Sequence, residues 1–312
     1  MRRLRLVAFL LLSCIVLGAA NSVFREAPYL YVLGIAQDAG FPQANCERNC
    51  CKDAFTSTEI PQRVASIAVV DPASDQFWMI DATPDFTKQL RSAQQTTETP
   101  GKLPEAIFLT HAHIGHYTGL MYLGREAMGA NRVPVYAMPK MKAFLENNGP
   151  WSQLLKLGNI QLLELKANQP VMLNDRLRIT PVLVPHRDEF SETVGFEIQH
   201  GERSALYIPD IDKWDRWEKD ILEEVGRHDL ALLDGTFYAN GEIPGRDMSE
   251  IPHPFIEESM ALFDPLSETD RDKVRFIHFN HTNPVMQPGS EAAREVEKRG
   301  YHITRAGDGY PL

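Results

Sequence analysis

Histidine is scarce in this chain, ten among 312 residues, and three stand within the segment Thr110-His111-Ala112-His113-Ile114-Gly115-His116. The apolar run Ala106–Leu109 precedes them directly. A His-x-His pair needs an extended or turning backbone to aim both rings at one ion, and a strand end followed by Gly115 supplies it. Other chemistry-bearing residues repeat the placement. His186 follows the β-type run Leu177–Val184, Asp210 follows Ala205–Ile208, and His278 and His281 follow Val274–Ile277. Loops leaving several strands on one edge of a sheet can converge on a single site. Imidazole and carboxylate together suit Zn²⁺, with Fe²⁺ or Mn²⁺ as alternatives. The bland reading of any one of these residues is a polar loop residue or an Asp cap. Only as a set do they point to a metal.

The expected ligands are therefore His111, His113, His116, His186, Asp210 and His278. Asp210 would also bridge or hold the nucleophile. His281 or His253 could protonate a leaving group. His253 stands between Pro252 and Pro254, and its alternative is an ordered loop residue. Asp81 ends a strand and either orients a ligand imidazole from behind or caps the following helix. His200 and His228 are expected at the surface.

Cys46, Cys50 and Cys51 fall within six positions. Three clustered thiols suit a structural Zn²⁺ separate from the histidine site. The alternative is a Cys46–Cys50 disulfide with one spare thiol.

These residues need a layered scaffold. Strands are expected at Tyr29–Gly34, Ser66–Asp71, Phe77–Asp81, Ala106–Thr110, Val133–Ala137, Ile160–Glu164, Leu177–Val184, Val194–Gln199, Ala205–Pro209, Leu230–Asp234 and Val274–His278. Helices are expected at Pro84–Ser92, Leu120–Met128, Lys140–Glu146, Trp214–Val225, Phe255–Leu262 and Glu291–Arg299. Groups of strands with helices between them imply sheets inside and helices outside. No repeat or linker interrupts residues 28–312, so one domain is expected.

Composition is that of a globular protein, 43% hydrophobic and 24% charged, with net charge −10. An acidic chain without basic runs disfavours nucleic acid and anionic membranes and leaves a small-molecule substrate. Residues 1–20 place Arg2, Arg3 and Arg5 before the apolar run Leu6–Leu17 and the small residues Gly18, Ala19 and Ala20. That order is expected of a signal peptide, with export to the periplasm or medium and no stable membrane insertion once it is removed. A lipoprotein cysteine at Cys14 is the lesser alternative.

The motifs resemble the metallo-β-lactamase superfamily, whose signature H-x-H-x-D-H follows a strand. The resemblance implies a four-layer αββα sandwich. It assigns His111, His113 and His116 to the signature, then His186, Asp210 and His278. A closer similarity is to the family of pyrroloquinoline-quinone (PQQ) biosynthesis B proteins. It rests on Gly40-Phe-Pro-Gln43 with Asn45-Cys46, on Ile80–Asp85, on Pro185–Glu189 with Thr193–Phe196, and on Thr282-Asn283-Pro284. The cysteine spacing departs from that family's C-x-C-x-x-C. His111 and His113, which the quinone-biosynthesis proteins usually lack, look more like a hydrolase. Gly115 occupies the place of the signature Asp, which normally binds a second ion. A second metal position weakened by that loss is expected, and Gly115→Asp is expected to strengthen it. The function implied is hydrolysis of a small substrate by a metal-bound water, a phosphodiester being favoured. The alternatives are an iron-dependent oxidoreductase or hydroxylase and a non-catalytic exported binding protein.

Overall fold

The computed structural model describes residues 27–58, 62–287 and 289–312. The expected signal segment and Cys14 lie outside the described residues.

Fourteen strands form two seven-stranded sheets among the described residues. The first contains β1 (Tyr29–Gly34), β2 (Ser66–Asp71), β3 (Gln76–Ile80), β4 (Ile107–Phe108), β5 (Val133–Ala137) and β6 (Ile160–Glu164). The second contains β7 (Val171–Met172), β8 (Leu177–Leu183), β9 (Val194–His200), β10 (Arg203–Ile208), β11 (Leu230–Asp234), β12 (Val274–Ile277) and β13 (His302–Ile303). The last strand, β14 (Gly309–Pro311), returns to the first sheet, which runs β14-β1-β2-β3-β4-β5-β6. The second runs β13-β12-β11-β10-β9-β8-β7. Each sheet is antiparallel in one part and parallel in the other, with β3 to β6 and β10 to β13 parallel.

Strand β2 shows why the sheets stack. All six of its residues are buried. Ile67 and Val69 face the interior shared by both sheets, where Phe196 and Ile198 also lie. Ala68 and Val70 face the other way, onto Phe86 and Leu90 of α1 (Phe86–Thr96). Successive side chains of a strand point to opposite faces, so a sheet covered on both sides reads as a continuous apolar run. Helices α3 (Pro139–Asn147) and α4 (Trp151–Lys156) add Met141, Leu145 and Leu154 to that outer layer. On the far side α5 (Ile221–Arg227), α6 (Ile256–Leu262) and α8 (Glu291–Lys298) contribute Val225, Met260 and Val296. The result is the expected four-layer order of helix, sheet, sheet, helix. Asp71 at the end of β2 ties the sheets together, accepting hydrogen bonds from Arg176 and Asn174 before β8.

The helix expected over Leu120–Met128 is absent. The chain instead makes one α turn, α2 (Ile114–Tyr117), then a 3₁₀ segment over Thr118–Leu123. Gly119 explains the tightness. Its amide donates to Ala82 O at 2.8 Å, and a Cβ there would lie 2.1 Å from Thr83 O. This close approach clamps the histidine turn against the end of β3. The remaining short helix, α7 (Glu268–Arg271), was not expected from the pattern. Gly119→Ala should cost about 1–3 kcal/mol by overpacking. Gly226→Ala, in open space on α5, should be neutral or slightly stabilising. Urea unfolding of both variants checks the contrast; equal stabilities would show that the clamp relaxes freely.

Candidate metal centre

Strand ends at one edge of the sandwich deliver the centre. His111 follows β4, His186 follows β8, Asp210 follows β10 and His278 follows β12. His278 takes a left-handed φ of +68°, and Asp81, directly after β3, takes +67°. Such backbone is uncommon outside glycine and concentrates at functional sites. Here it stands where the chain leaves β12 and β3, with Asp81 meeting Thr110 and His116 and His278 Nδ1 meeting Thr236.

The inward-facing atoms share an unusual property. His111 Nε2, His113 Nδ1, His116 Nε2, His186 Nε2, His278 Nε2 and Asp210 Oδ1 are all buried and make no hydrogen bond. Asp210 lies 3.3 Å from His111 Nε2 and from His186 Nε2, 3.7 Å from His116 Nε2 and 3.8 Å from His278 Nε2. A tetrahedral shell with bonds near 2.1 Å has donor–donor edges of about 3.4 Å. The spacings are therefore those of donors around a cation. Buried polar atoms are otherwise almost always paired. His111, His113, His186 and Asp210 form one group with metal-holding geometry. His116 and His278 form a second, together with Asp38.

The opposite ring nitrogens are held from behind. His116 Nδ1 meets Asp81 at 2.7 Å, and His186 Nδ1 meets Asp212 at 3.2 Å. His278 Nδ1 meets Thr236 at 3.0 Å, and Thr236 in turn donates to Asp234. His111 Nδ1 meets Thr110 Oγ1 at 3.0 Å. Asp81 accepts from the Thr110 amide and hydroxyl as well as from His116. Of its two expected roles the geometry shows the orienting one, and no side-chain cap of α1 is made. Thr110, Asp212, Asp234, Thr236 and Asp38 escaped the sequence reading, because short polar residues after strands are common.

Electrostatics separate the rings. Burial and the neighbouring His116 hold His111 well below the ordinary histidine range. Burial also opposes charge on His116, but Asp81 and Asp38 overcome it and raise its pKa well above that range. Asp210 is opposed by burial and nevertheless held well below the usual carboxylate range by His186, His278 and His253. His253 is buried, with Nδ1 at 2.8 Å from Asp234 and 3.2 Å from Asp210. Against its burial, Asp234 and Asp210 push it up to about 9. His253 thus joins the centre, held toward its charged form by two carboxylates.

His281 does not. It groups with Cys46, Cys50 and Cys51 instead, so the expectation of an acid at the histidine centre is corrected. The left-handed turn at His278 sends the chain away, and His281 Nδ1 contacts Asn280 at 3.1 Å. The three cysteines are free, with Cys46 and Cys50 sulfurs 3.8 Å apart. A disulfide needs about 2.05 Å. Burial and the Cys46 contact push Cys51 up to about 12, while Cys46 is lowered, against burial, by Cys51 and Arg48. His228 also departs from expectation. It is buried, not superficial, with Nδ1 at 2.7 Å from Glu224 O.

The sequence model of the β-lactamase superfamily domain matches residues 78–279, which span the whole histidine centre. The chain belongs to that superfamily. Its similarities within the superfamily are more particular. The coenzyme PQQ synthesis protein B of Cupriavidus necator is 26% identical over 306 residues, covering 88% of this chain and 97% of that protein. The protein of the same name from Methylobacterium nodulans is 27% identical over 304 residues, with the same coverage. Among solved structures, Zn²⁺-bound PqqB from Methylobacterium extorquens superposes with TM-score 0.76 at 23% identity, covering 91% of this chain and all of that one. A diphosphatase of the PhnP family gives 0.61 at 21% identity, covering 91% and 98%. The fold is the metallo-β-lactamase fold, and the chain is PqqB-like.

In this superfamily member, Asp81 connects the first sheet to the centre through one hydrogen bond. Partners of that kind typically contribute 10–100-fold to metal affinity. Asp81→Ala should therefore weaken Zn²⁺ binding by about 10–100-fold. Competition with a chromophoric chelator checks it; unchanged affinity would reduce Asp81 to a backbone role.

Proposed function

We propose that the chain is a metal-dependent hydrolase of a small phosphodiester. The observation that carries it is the set of buried donors without hydrogen bonds, converging on Asp210 with the buried His253 beside them. His111, His113, His186 and Asp210 would hold one ion, with His116, Asp210 and His278 toward a second. A divalent ion there supplies Lewis acidity and brings the pKa of water toward neutrality. Asp210 orients the nucleophile by its position between the rings. His253, tied through Nδ1 to Asp234, can offer its Nε2 proton to a departing alkoxide. It also supplies, with the exposed Arg187 next to His186, the positive charge that a phosphate needs. Of the two acids expected from the sequence, His281 and His253, this reading keeps His253. The PhnP-family diphosphatase shares the fold and carries a name that implies phosphate chemistry, which accords with this reading.

Hydrolysis of bis(4-nitrophenyl) phosphate and of a dialkyl diester, with Zn²⁺ or Mn²⁺ supplied, tests this. His253→Ala should lower kcat on the alkyl diester by about 10²–10⁴-fold. The loss on the nitrophenyl diester should be much smaller, since nitrophenolate leaves without a proton. Diester turnover that survives complete chelation would sink the proposal. A second reading rests on the relatives named for coenzyme PQQ synthesis. Fe²⁺ accepts the same donors, and an iron-dependent oxidation of an amino-acid-derived precursor would show as native iron and oxygen uptake.

We infer also that Cys46, Cys50 and Cys51 hold a structural Zn²⁺, with His281 as the fourth ligand. Their donor atoms lie within 4.8 Å of one another, and Cys₃His is an ordinary closed zinc set. Cys50→Ser with Cys51→Ser should remove about one zinc per chain and lower the melting temperature together. Loss of neither would leave the cluster as plain thiols.

A further inference from the structure

Gly115 has no side chain to offer a second ion, yet the space beside it is filled by a carboxylate. A Cβ built on Gly115 would lie 2.4 Å from Asp38 Cα and 2.5 Å from Asp38 Oδ1. Asp38 comes from a different element, the loop after β1. Its Oδ1 is buried, makes no hydrogen bond and stands 3.5 Å from His116 Nε2. His116 Nε2 and His278 Nε2 are likewise unpartnered, on side chains with no exposed surface.

We propose that Asp38 is the carboxylate ligand of the second metal position, replacing in space the Asp that position 115 lacks. This rests on the metallohydrolase reading above and specifies its second site. The donors would be Asp38, His116 and His278, with Asp210 Oδ2 shared at 3.7 and 3.8 Å from the two rings. Two carboxylates on this position balance a dication better than Asp210 alone. The site is then dinuclear, with Asp210 presenting Oδ1 toward His186 and Oδ2 toward His116 and His278.

The loop is built to hold Asp38 there. The Gln37 amide donates to Phe279 O at 2.8 Å, next to the ligand His278. Ala36 bridges both Val64 and Phe279, so the loop is fixed to both sheets. Gly40 closes it with φ +74° and an amide bond to Gln37 O at 2.8 Å. The same contacts revise the expectation for Gly115→Asp. The new Cβ would overlap Asp38 backbone, so the single substitution should disrupt the site.

Calorimetric titration of the metal-stripped full chain with Mn²⁺ tests the proposal. Imidazole and carboxylate suit Mn²⁺, whereas thiolates do not, so the cysteine cluster stays silent. Wild type should bind two ions and give the spin-coupled resonance of a Mn²⁺ pair. Asp38→Asn should keep the first ion, lose the coupled signal and bind the second at least about 10–100-fold more weakly. Gly115→Asp should not restore the pair, alone or with Asp38→Gly, because its Cβ would still lie 2.4 Å from the Cα of residue 38. Two tight, coupled ions in Asp38→Asn would overturn the assignment of Asp38 and leave the hydrolase reading standing. No Mn²⁺ or Zn²⁺ in the histidine centre of wild type would overturn the hydrolase reading itself.

Discussion

Asp210 is a carboxylate buried to 2% of its surface and surrounded by five imidazoles. An ionised group in that position costs several kcal/mol unless opposite charge meets it. His111, whose charge is suppressed by burial, cannot meet it fully. His253 and His116 are held toward their charged forms by carboxylates of their own, Asp234 and Asp81, so neither serves Asp210 alone. A cation among the ring nitrogens satisfies the carboxylate and the unpaired lone pairs at once. The sandwich exists in its present form to keep those groups converged, since every one of them leaves the end of a different strand or a turn clamped to one.

The backing groups set the precision. On four of the rings the nitrogen turned away from the centre meets a short side chain, Asp81, Asp212, Thr110 or Thr236, while His113 Nε2 meets the exposed Glu189. Short side chains have few rotamers, so little freedom is lost in fixing the ring. The left-handed residues Asp81 and His278 stand in the two different sheets and aim inward. Strain is thus placed where it positions a ligand or its support.

Much of this was legible in the chain itself. Short apolar runs bounded by Gly, Pro or Asp located β1, β2, β5, β6 and β11 to the residue, because strands buried on both faces read as continuous apolar segments. Histidines after strands marked residues that the fold brings together, since imidazole is rare and its spacing informative. The 3₁₀ segment at Thr118–Leu123 was not legible, because it follows from backbone contact between Gly119 and Thr83, which lie far apart in the chain and owe nothing to local propensity. Nor was Asp38, which sits in a Gly-flanked loop and acquires meaning only when the fold brings it beside Gly115. His281 was misassigned for a related reason. Sequence proximity to His278 suggested a shared site, but a left-handed residue between strand and loop reverses direction over a few bonds.

That reversal means residues 278 to 281 carry a group toward each of two ligand sets, imidazole–carboxylate on one side and thiol on the other. The segment is four residues long and pinned by Phe279 to Gln37 and by Asn280 to Thr236. A chain so short cannot settle at one end while remaining slack at the other. An ion taken up by the thiols would order the backbone that presents His278, and the reverse holds by reciprocity of linked binding. With an ion on its thiols, the cysteine cluster would be less a distant staple than a tensioner for the histidine centre. Oxidation of its sulfurs would be felt as a loosened grip on the ion several bonds away.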